Sequence, residues 1–478
     1  MSHDIREVDV AILGAGTAGL TARKAVKKAR ASVLSIDPGP FGTTCARVGC
    51  MPSKLVIAAA EMAHAAQHGA MFGVHAEGVR VDGREVMARV QRERDQFAGH
   101  VVHTVRGFEK DGELLTGRAK VIGEGRLLVD DTTEVRYRGL VVATGTAPFV
   151  PPPFRGISYL TNESVFELED LPESLLVVGL GAIGLELGQA FHRLGVRTTI
   201  ISIGGLIGPL GCPEVLDAAK AIFSAELDMH PDYELGSIEP DGDGVHIRFT
   251  DSNGRARDER YARVLMAAGR RSTLGDLGLE SLGIARGEDG RWPVDPDTLQ
   301  LGDQPIFVAG DAHELHPIMH EAADDGRLAG SNAARFPEVL ATPRRTPLAV
   351  VFSDPQIAIV GGGHATACKL GAVAGSYDLA DQGRARIHDQ NRGRFRLYAT
   401  KHDGRLVGAE LLGPRAEHIG HLLAWAVQRG LTVDDALSMP FYHPVVEEGL
   451  RSALYDLNAS LRHGEPIRCR VTEVGVGA

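Results

Sequence analysis

Two cysteines five positions apart, Cys45 and Cys50, are the residues of this sequence best suited to chemistry. In a regular helix their Cα atoms would lie about 8–9 Å apart, whereas a disulfide needs roughly 4.4–6.8 Å. A bond between them would therefore distort the backbone around Val48 and Gly49, and a strained, accessible disulfide is readily reduced. Pro52 suits the first turn of a helix, which would place Cys50 at the positive helix end and favour its thiolate. Two ordinary buried thiols are the alternative, which the neighbouring nucleotide-binding signature disfavours.

That signature lies just before the cysteines. An apolar run at 8–13 predicts a strand buried on both faces, and it is followed by Gly14, Gly16 and Gly19 in the G-x-G-x-x-G arrangement. This spacing allows a tight turn, a close approach to a pyrophosphate and close helix–sheet packing. The next apolar run ends in Asp37, whose carboxylate suits the hydroxyls of a ribose. Strand, helix and acid in register predict a dinucleotide-binding module.

A second module of the same kind follows later in the chain. Gly179, Gly181 and Gly184 repeat the glycine arrangement after another apolar run. Each module later ends in an apolar strand with a small-residue turn, at 140–145 and at 264–269. Two complete patterns indicate two dinucleotides whose reactive rings meet, and they disfavour one functional site beside one structural relic.

The two modules differ at the end of their second strand. Ser202 stands as far after Gly179 as the acid of the first module stands after its first glycine. An acid at this position accepts from the NAD ribose and repels a 2′-phosphate, and NADP-binding proteins place arginine nearby. Ser202 neither repels a 2′-phosphate nor attracts one, and residues 202–212 contain no cation. Arg197, on the same strand, could reach a 2′-phosphate only if its side chain curled toward the strand end. We therefore expect NAD(H), with NADP possible.

Two further segments carry polar residues at strand or helix ends. The run at 305–312 predicts a strand that ends in Asp311, at the edge where parallel sheets bind ligands, although this acid could equally cap a helix. Near the end of the chain His443 precedes Pro444, a residue favoured at the first helical position, so His443 should be exposed at a helix start. With carboxylates behind it, this histidine suits general acid–base chemistry; a capping histidine is the alternative.

Composition limits the class of protein. A chain of 478 residues should divide into about three or four units, and from about Pro347 the pattern predicts a separate α+β domain. The net charge of −11 argues against nucleic-acid binding, and no segment offers the roughly eighteen apolar residues of a membrane span. Five cysteines are too few for a disulfide framework, and no metal-ligand spacing is present. With no secretory signal pattern, we expect a cytoplasmic enzyme without a bound metal.

Eight motifs cover nearly the whole chain. In order they are GAGTAG, GTTCARVGCMPSK, VVATG, GLGAIGLELG, AAGRR, FVAGDA, FSDPQIAIVG and HPVVEE. Together they resemble the motifs of the flavoprotein disulfide reductases, and within that family those of the dihydrolipoamide dehydrogenases. The resemblance implies an α/β fold with two Rossmann-like dinucleotide-binding domains, for FAD and NAD, and a C-terminal α+β dimerisation domain. The implied bounds are 1–149 (FAD-binding), 150–272 (NAD(P)-binding), 273–345 (central segment completing the FAD domain) and 346–478 (dimerisation/interface).

The resemblance also implies roles for individual residues. FAD would be held by Gly14, Gly16, Gly19, Asp37, Gly145 and Asp311, and the nicotinamide nucleotide by Gly179, Gly181, Gly184 and Ser202, with Arg270 close to it. Cys50 would be the thiol that faces the flavin, and Cys45 the thiol that meets the substrate. Lys54 would lie near the reactive edge of the flavin and pair with Glu186.

The implied enzyme is an FAD-dependent homodimer. It would interconvert a dihydrolipoyl dithiol and a lipoyl disulfide with NAD(H), acting on a lipoyl-carrying protein or a small dithiol. His443 and Glu448 would form a base dyad that reaches the active site of the partner subunit. The alternatives are a glutathione-reductase-like enzyme for another small disulfide, a mercuric reductase, and a redox sensor without turnover. The single Cys469 departs from the paired C-terminal cysteines of mercuric reductases, and Ser53 from the lysine usual in glutathione reductases.

The sequence departs from the family pattern at two places. Ala46 and Arg47 occupy the middle of the cysteine motif, and Glu447 stands where serine is common. Arg47 would either steer an acidic lipoyl carrier or lower the pKa of Cys45, since a nearby cation favours a thiolate. A solvent-facing arginine without either role is an equal alternative.

Overall fold

The computed structural model describes residues 4–315 and 317–467, and Cys469 lies outside them. The described residues form two compact units. The first comprises the residues up to Leu55 together with Ala88–Phe149 and Arg270–Arg344. The second comprises Val56–Met87, Val150–Gly269 and the residues from Arg345 onward. The predicted bounds of the individual domains stay predictions.

The described residues form twenty-one strands and twelve α-helices. The strands are β1 (Asp4–Leu13), β2 (Val33–Ile36), β3 (Leu114–Leu115), β4 (Ala119–Gly123), β5 (Arg126–Val129), β6 (Thr133–Val142), β7 (Thr146–Pro148), β8 (Ser174–Val178), β9 (Arg197–Ile201), β10 (Asp228–His230), β11 (Glu234–Asp241), β12 (Gly244–Thr250), β13 (Ala256–Tyr261), β14 (Arg263–Met266), β15 (Arg270–Ser272), β16 (Ile306–Val308), β17 (Leu348–Val351), β18 (Gln356–Val360), β19 (Val373–Asp378), β20 (Arg394–Ala399) and β21 (Leu406–Gly413). The α-helices are α1 (Thr17–Lys28), α2 (Thr44–Val48), α3 (Cys50–His68), α4 (Gly83–Lys110), α5 (Ala182–Arg193), α6 (Pro213–Ser224), α7 (Met319–Arg335), α8 (Gly363–Lys369), α9 (Gly383–Ile387), α10 (Ala416–Gln428), α11 (Val433–Leu437) and α12 (Glu447–His463).

The first unit is built on a sheet whose strands follow the order β3-β2-β1-β6-β5-β4, with β16 beside β6. The strands β2, β6 and β16 join β1 in a parallel core. The last four residues of β1 are all buried, as in a sheet covered on both faces. Helices α1 and α7 pack backbone to backbone on one face: a Cβ at Gly326 would lie 2.2 Å from the carbonyl oxygen of Ala18, and one at Gly330 would lie 2.4 Å from that of Ala22.

The second unit contains a parallel sheet, an antiparallel three-stranded sheet and an antiparallel five-stranded sheet. The parallel strands follow the order β10-β9-β8-β14, which is the second dinucleotide-binding arrangement. The five-stranded sheet follows the order β17-β18-β21-β20-β19. The helices α10 and α12 pack on it, and Phe395 and Leu411 of the sheet share a core with Leu454 of α12. The predicted α/β fold with a separate C-terminal α+β domain is thus confirmed.

Two further observations bear on the sequence expectations. Helix α12 begins at Glu447 after Val446, so the expectation that Pro444 occupies the first helical position is wrong. The segment 444–446 instead forms a turn before the helix. Among the helices described, none is both long and apolar enough to cross a lipid bilayer.

Candidate functional site

The two cysteines lie on consecutive helices of the first unit. Cys45 is in α2, and Cys50 is the first residue of α3. Gly49 separates the helices with φ −134° and ψ −118°, and a Cβ there would lie only 2.9 Å from the carbonyl oxygen of Thr44. This break brings the two side chains into a hydrogen bond, as free thiols. The disulfide expected of the oxidised protein stays a prediction.

Several neighbouring groups shift the pKa of Cys45. The pKa of Cys45 is raised, first by its hydrogen bond to Cys50, then by burial and by the charge of Cys50. The cation that lowers this pKa is Lys54, not Arg47 as suggested above. The Nε atom of Arg47 is buried without a hydrogen-bond partner, and the side chain packs near Gly42. Cys45 therefore keeps its proton more readily than a free cysteine does.

The first glycine motif forms a turn with space above it. Gly14 has a φ of 103°, and a Cβ at Gly19 would lie 1.9 Å from the carbonyl oxygen of Gly14. A Cβ at Gly16, the residue before α1, would meet no atom within 4 Å. The carboxylate of Asp37 accepts hydrogen bonds from the backbone nitrogens of Ala15 and Gly39, both at 2.6 Å. The turn thus leaves an open position at a helix N-terminus, as a pyrophosphate requires.

Asp311 lies in the turn that follows β16. Burial raises its pKa, and the charge of Arg270 opposes that effect. Arg270 donates to the hydroxyl and to the carbonyl oxygen of Thr146, at 2.8 and 2.6 Å. Arg270, expected close to the nicotinamide nucleotide, therefore lies in the first unit beside Asp311. Gly145, between β6 and β7, has a φ of 70° and open space at its Cβ position.

A buried histidine supports this turn, and the sequence analysis did not identify it. The side chain of His313 is fully buried, and its Nε2 lies 2.6 Å from a carboxylate oxygen of Asp325. Its Nδ1 accepts from the backbone nitrogen of Leu315 at 3.0 Å, so Nε2 carries the proton. Asp325 also accepts from Gly310 N at 3.2 Å and pairs with Arg344 at 3.0 Å. A histidine two residues after Asp311 is the one sequence signal of this arrangement.

The second glycine motif repeats the geometry of the first. Gly179 has a φ of 117°, and a Cβ at Gly184 would lie 1.9 Å from the carbonyl oxygen of Gly179. The Cβ position of Gly181, the residue before α5, is open. Ser202 directly follows β9. The two modules therefore present the same turn and the same open helix N-terminus.

Glu186, in α5, is buried and belongs to a polar network within the second unit. Its carboxylate accepts from the backbone nitrogen of Phe352 at 2.9 Å. One and two turns further along the helix, Gln189 and Arg193 bind the segment around Asp354. Arg193 also makes two hydrogen bonds to Glu226, which sequence reasoning missed because these partners are far apart in the chain. The predicted contact between Glu186 and Lys54 stays a prediction.

His443 and Glu448 are brought together by the turn before α12. The Nδ1 atom of His443 lies 3.0 and 3.1 Å from the two carboxylate oxygens of Glu448. This hydrogen bond is the main reason why the pKa of Glu448 is lowered. The histidine side chain is 80% exposed, so its Nε2 is open to a substrate or to another protein surface. Glu447 opens the helix and takes no part in this contact.

Within the described ranges, no group of three or more histidine, cysteine, aspartate or glutamate side chains is arranged to hold a metal ion. The chemistry that this geometry supports is therefore that of the thiol pair, of the histidine–carboxylate pair and of two dinucleotide-binding turns.

Comparison with known proteins places these features in a family. The profile of the pyridine nucleotide-disulphide oxidoreductases matches residues 8–326, and that of the dimerisation domain of the same oxidoreductases matches residues 348–454. A mercuric reductase of Streptomyces lividans is 32% identical over 89% of this chain and 91% of its own length. A dihydrolipoyl dehydrogenase of Halobacterium salinarum is 28% identical over 93% of this chain and 95% of its own length.

Solved structures agree in fold. The crystal structure of LpdA from Mycobacterium tuberculosis superimposes with a TM-score of 0.78 at 25% identity, over 94% of this chain and 99% of that one. The flavoprotein disulfide reductase RclA from Escherichia coli, at 21% identity and a TM-score of 0.77, shares the fold over 94% of this chain and 99% of its own. With both halves matched in order, the chain belongs to the pyridine nucleotide-disulphide oxidoreductase family.

Proposed function

We propose that this protein oxidises a dihydrolipoyl dithiol to the lipoyl disulfide and passes the electrons to NAD⁺, or runs the reverse reaction. The observation that carries the proposal is the hydrogen-bonded pair Cys45 and Cys50, in which the hydrogen bond and burial raise the pKa of Cys45. Two thiols held this close suit exchange with a second dithiol, because a thiolate that attacks one sulfur of their disulfide releases the other.

The proposed exchange balances in bonds and protons. In the oxidised enzyme a substrate thiolate attacks Sγ of Cys45, the Cys45–Cys50 bond breaks, and Cys50 leaves as a thiolate. His443 accepts the proton of the second substrate thiol through Nε2, with its Nδ1 fixed by Glu448. That thiolate attacks the substrate sulfur bonded to Cys45 and releases the cyclic disulfide, which leaves two reduced cysteines.

The first module fits FAD. Its open position at Gly16 suits a pyrophosphate. Burial disfavours the charged form of Asp311, so a hydrogen-bond donor such as a ribityl hydroxyl would stabilise this carboxylate. Bound there, FAD would carry two electrons between the cysteines and the nicotinamide nucleotide in the second module. The loop 202–212 offers neither a repelling acid nor a cation of its own, which is the basis for the expected NAD(H).

A homodimer would complete the site. His443 is exposed and lies in the second unit, whereas Cys45 and Cys50 lie in the first. Beside it, an apolar groove includes Trp425 and Tyr442, whose side chains are 69% and 80% exposed, together with Met439. A second copy of the chain is the proposed occupant of this groove, since residues 348–454 match a dimerisation domain.

Mercuric ion is the second candidate substrate, because the mercuric reductase of Streptomyces lividans is 32% identical to this chain. The experiment that decides is steady-state turnover of the FAD-loaded protein with lipoamide, oxidised glutathione and mercuric ion, each with NADH and with NADPH. Sustained turnover with lipoamide supports the proposal. Turnover with only oxidised glutathione or only mercuric ion would make that compound the substrate instead of lipoamide. A single reduction of the protein without turnover would indicate a redox sensor.

A further inference from the structure

Backbone hydrogen bonds hold the loop after β9 in place, and the Ser202 hydroxyl on this loop is left for a ligand. Ser202 N donates to the carbonyl oxygen of His230 at 2.9 Å, and Tyr233 N donates to that of Ser202 at 3.1 Å. Within the described part of the chain, the hydroxyl of Ser202 makes no hydrogen bond. Gly204 and Gly205 then turn the chain with φ of 82° and 69°. The loop thus closes over the carboxyl edge of the parallel sheet, where this fold meets the adenosine ribose.

A cation reaches this loop from outside it. Lys220, in α6, is half-buried, and its Nζ would lie 3.7 Å from a Cβ built on Gly205. Among the described residues, no hydrogen bond or ion pair engages this ammonium group. A lysine held beside a nucleotide loop without a counter-charge is suited to a phosphate, which it binds as a point charge.

Neighbouring charges do not offer an alternative. Arg197, the cation considered from the sequence, pairs with Glu259 at 3.3 Å and stacks over the ring of Tyr261, at the start of β9 and away from the loop. The carboxylate of Asp228, on the adjacent strand, is paired with Arg257 at 3.0 Å. Lys220 is therefore the charge that meets a group bound at Gly205.

We propose that Lys220 binds the 2′-phosphate of NADP(H), so that the second module accepts NADP(H) as well as NAD(H). The inference rests on the proposed function in one respect, that the second module takes a nicotinamide nucleotide. It departs from the expectation based on residues 202–212, because the cation comes from α6 and not from the loop. A charge-assisted contact of this kind should change affinity roughly 10- to 100-fold.

The kinetic test compares kcat/KM for NADPH and NADH in four FAD-loaded proteins: the wild type, Lys220→Gln, Lys220→Arg and the control Lys369→Gln, which changes an exposed lysine of α8. An artificial electron acceptor replaces the disulfide, so the result does not depend on the physiological substrate. The ratio of NADPH to NADH efficiency should fall about 10- to 100-fold in Lys220→Gln and persist in the other variants. An unchanged ratio, or an equal loss with both nucleotides, would overturn the proposal.

A binding test needs no turnover. Calorimetry should show that the FAD-loaded wild type binds adenosine 2′,5′-bisphosphate more tightly than 5′-AMP, and that Lys220→Gln loses this preference. Equal affinities in the wild type would overturn the proposal. Because neither ligand is reduced or oxidised, the preference would survive even if lipoamide proved not to be the substrate, and the two proposals therefore fail separately.

Discussion

Replacement of His313 tests whether the buried pair with Asp325 supports the turn that carries Asp311. The side chain loses two hydrogen bonds in His313→Ala: one from Nε2 to the Asp325 carboxylate at 2.6 Å, and one from Leu315 N to Nδ1 at 3.0 Å. A hydrogen bond to a charged group contributes about 1.5–3 kcal/mol and a neutral one about 0.5–1.5 kcal/mol. The sum is about 2–4.5 kcal/mol of unfolding free energy.

The environment of Asp325 narrows that range. After the substitution its carboxylate still accepts from Gly310 N at 3.2 Å and still pairs with Arg344 at 3.0 Å. The carboxylate is therefore not left as an uncompensated buried charge, which would cost about 3–5 kcal/mol. We accordingly expect a loss of about 2–3 kcal/mol, near the lower end of the hydrogen-bond sum. FAD should dissociate more readily as well, because Gly310 and His313 bound the turn that holds Asp311.

The assay is urea unfolding of the FAD-loaded protein, with the dissociation constant of FAD measured by flavin fluorescence. His402→Ala is the matched control, since that histidine is 81% exposed. His313→Gln retains a donor near the position of Nε2 and should recover part of the loss. An unfolding free energy of His313→Ala within about 0.5 kcal/mol of the wild type, the range of an ordinary surface substitution, would refute the reasoning. An equal loss in His402→Ala would do the same.

Three further substitutions test the proposed site. Cys50→Ser should abolish both turnover and the long-wavelength absorbance band of a thiolate beside oxidised flavin, while FAD stays bound. The control Cys212→Ala, which removes a buried thiol of the second unit, should keep turnover and the band. Lipoamide turnover by Cys50→Ser would contradict the proposal. His443→Gln should lose roughly 10²–10⁴-fold in activity. Mixing its subunits with those of Cys45→Ser should restore one working site per heterodimer, and a verified heterodimer without activity would exclude a base acting between subunits. Ser202→Glu should lower kcat/KM for NADPH more than for NADH by repelling the 2′-phosphate, and equal effects on the two nucleotides would contradict this role.

The parts of the fold that were predictable from the sequence are those that depend on neighbours in the chain. Both glycine motifs form the expected turns, because the positive φ of Gly14 and Gly179 and the contact of the third glycine with the first are local requirements. The break between Cys45 and Cys50 is local in the same sense, since it requires only that Gly49 lack a side chain.

The parts that were missed depend on residues far apart in the chain. Asp325 binds His313 from a helix, and Glu226 binds Arg193 from beyond α6, and no periodicity links these partners. The error at Pro444 has another cause: its preference for the first helical position is only a tendency, and α12 starts three residues later. The cation that lowers the pKa of Cys45 is Lys54, which sequence adjacency did not indicate, and the steering role of Arg47 stays a prediction.

The same distinction explains how two nearly identical modules could hold different dinucleotides. Their glycine turns and open helix N-termini match, so the turns alone do not determine which dinucleotide each module binds. The difference lies at the end of the second strand. In the first module Asp37 is fixed there by two backbone hydrogen bonds and would repel a 2′-phosphate. In the second, Ser202 is neutral and Lys220 adds a positive charge from a separate helix. With that lysine bound to a 2′-phosphate, NADP(H) would be excluded from the first module by charge and admitted to the second. The sorting would then depend on one carboxylate and one ammonium group, neither of which belongs to a glycine motif.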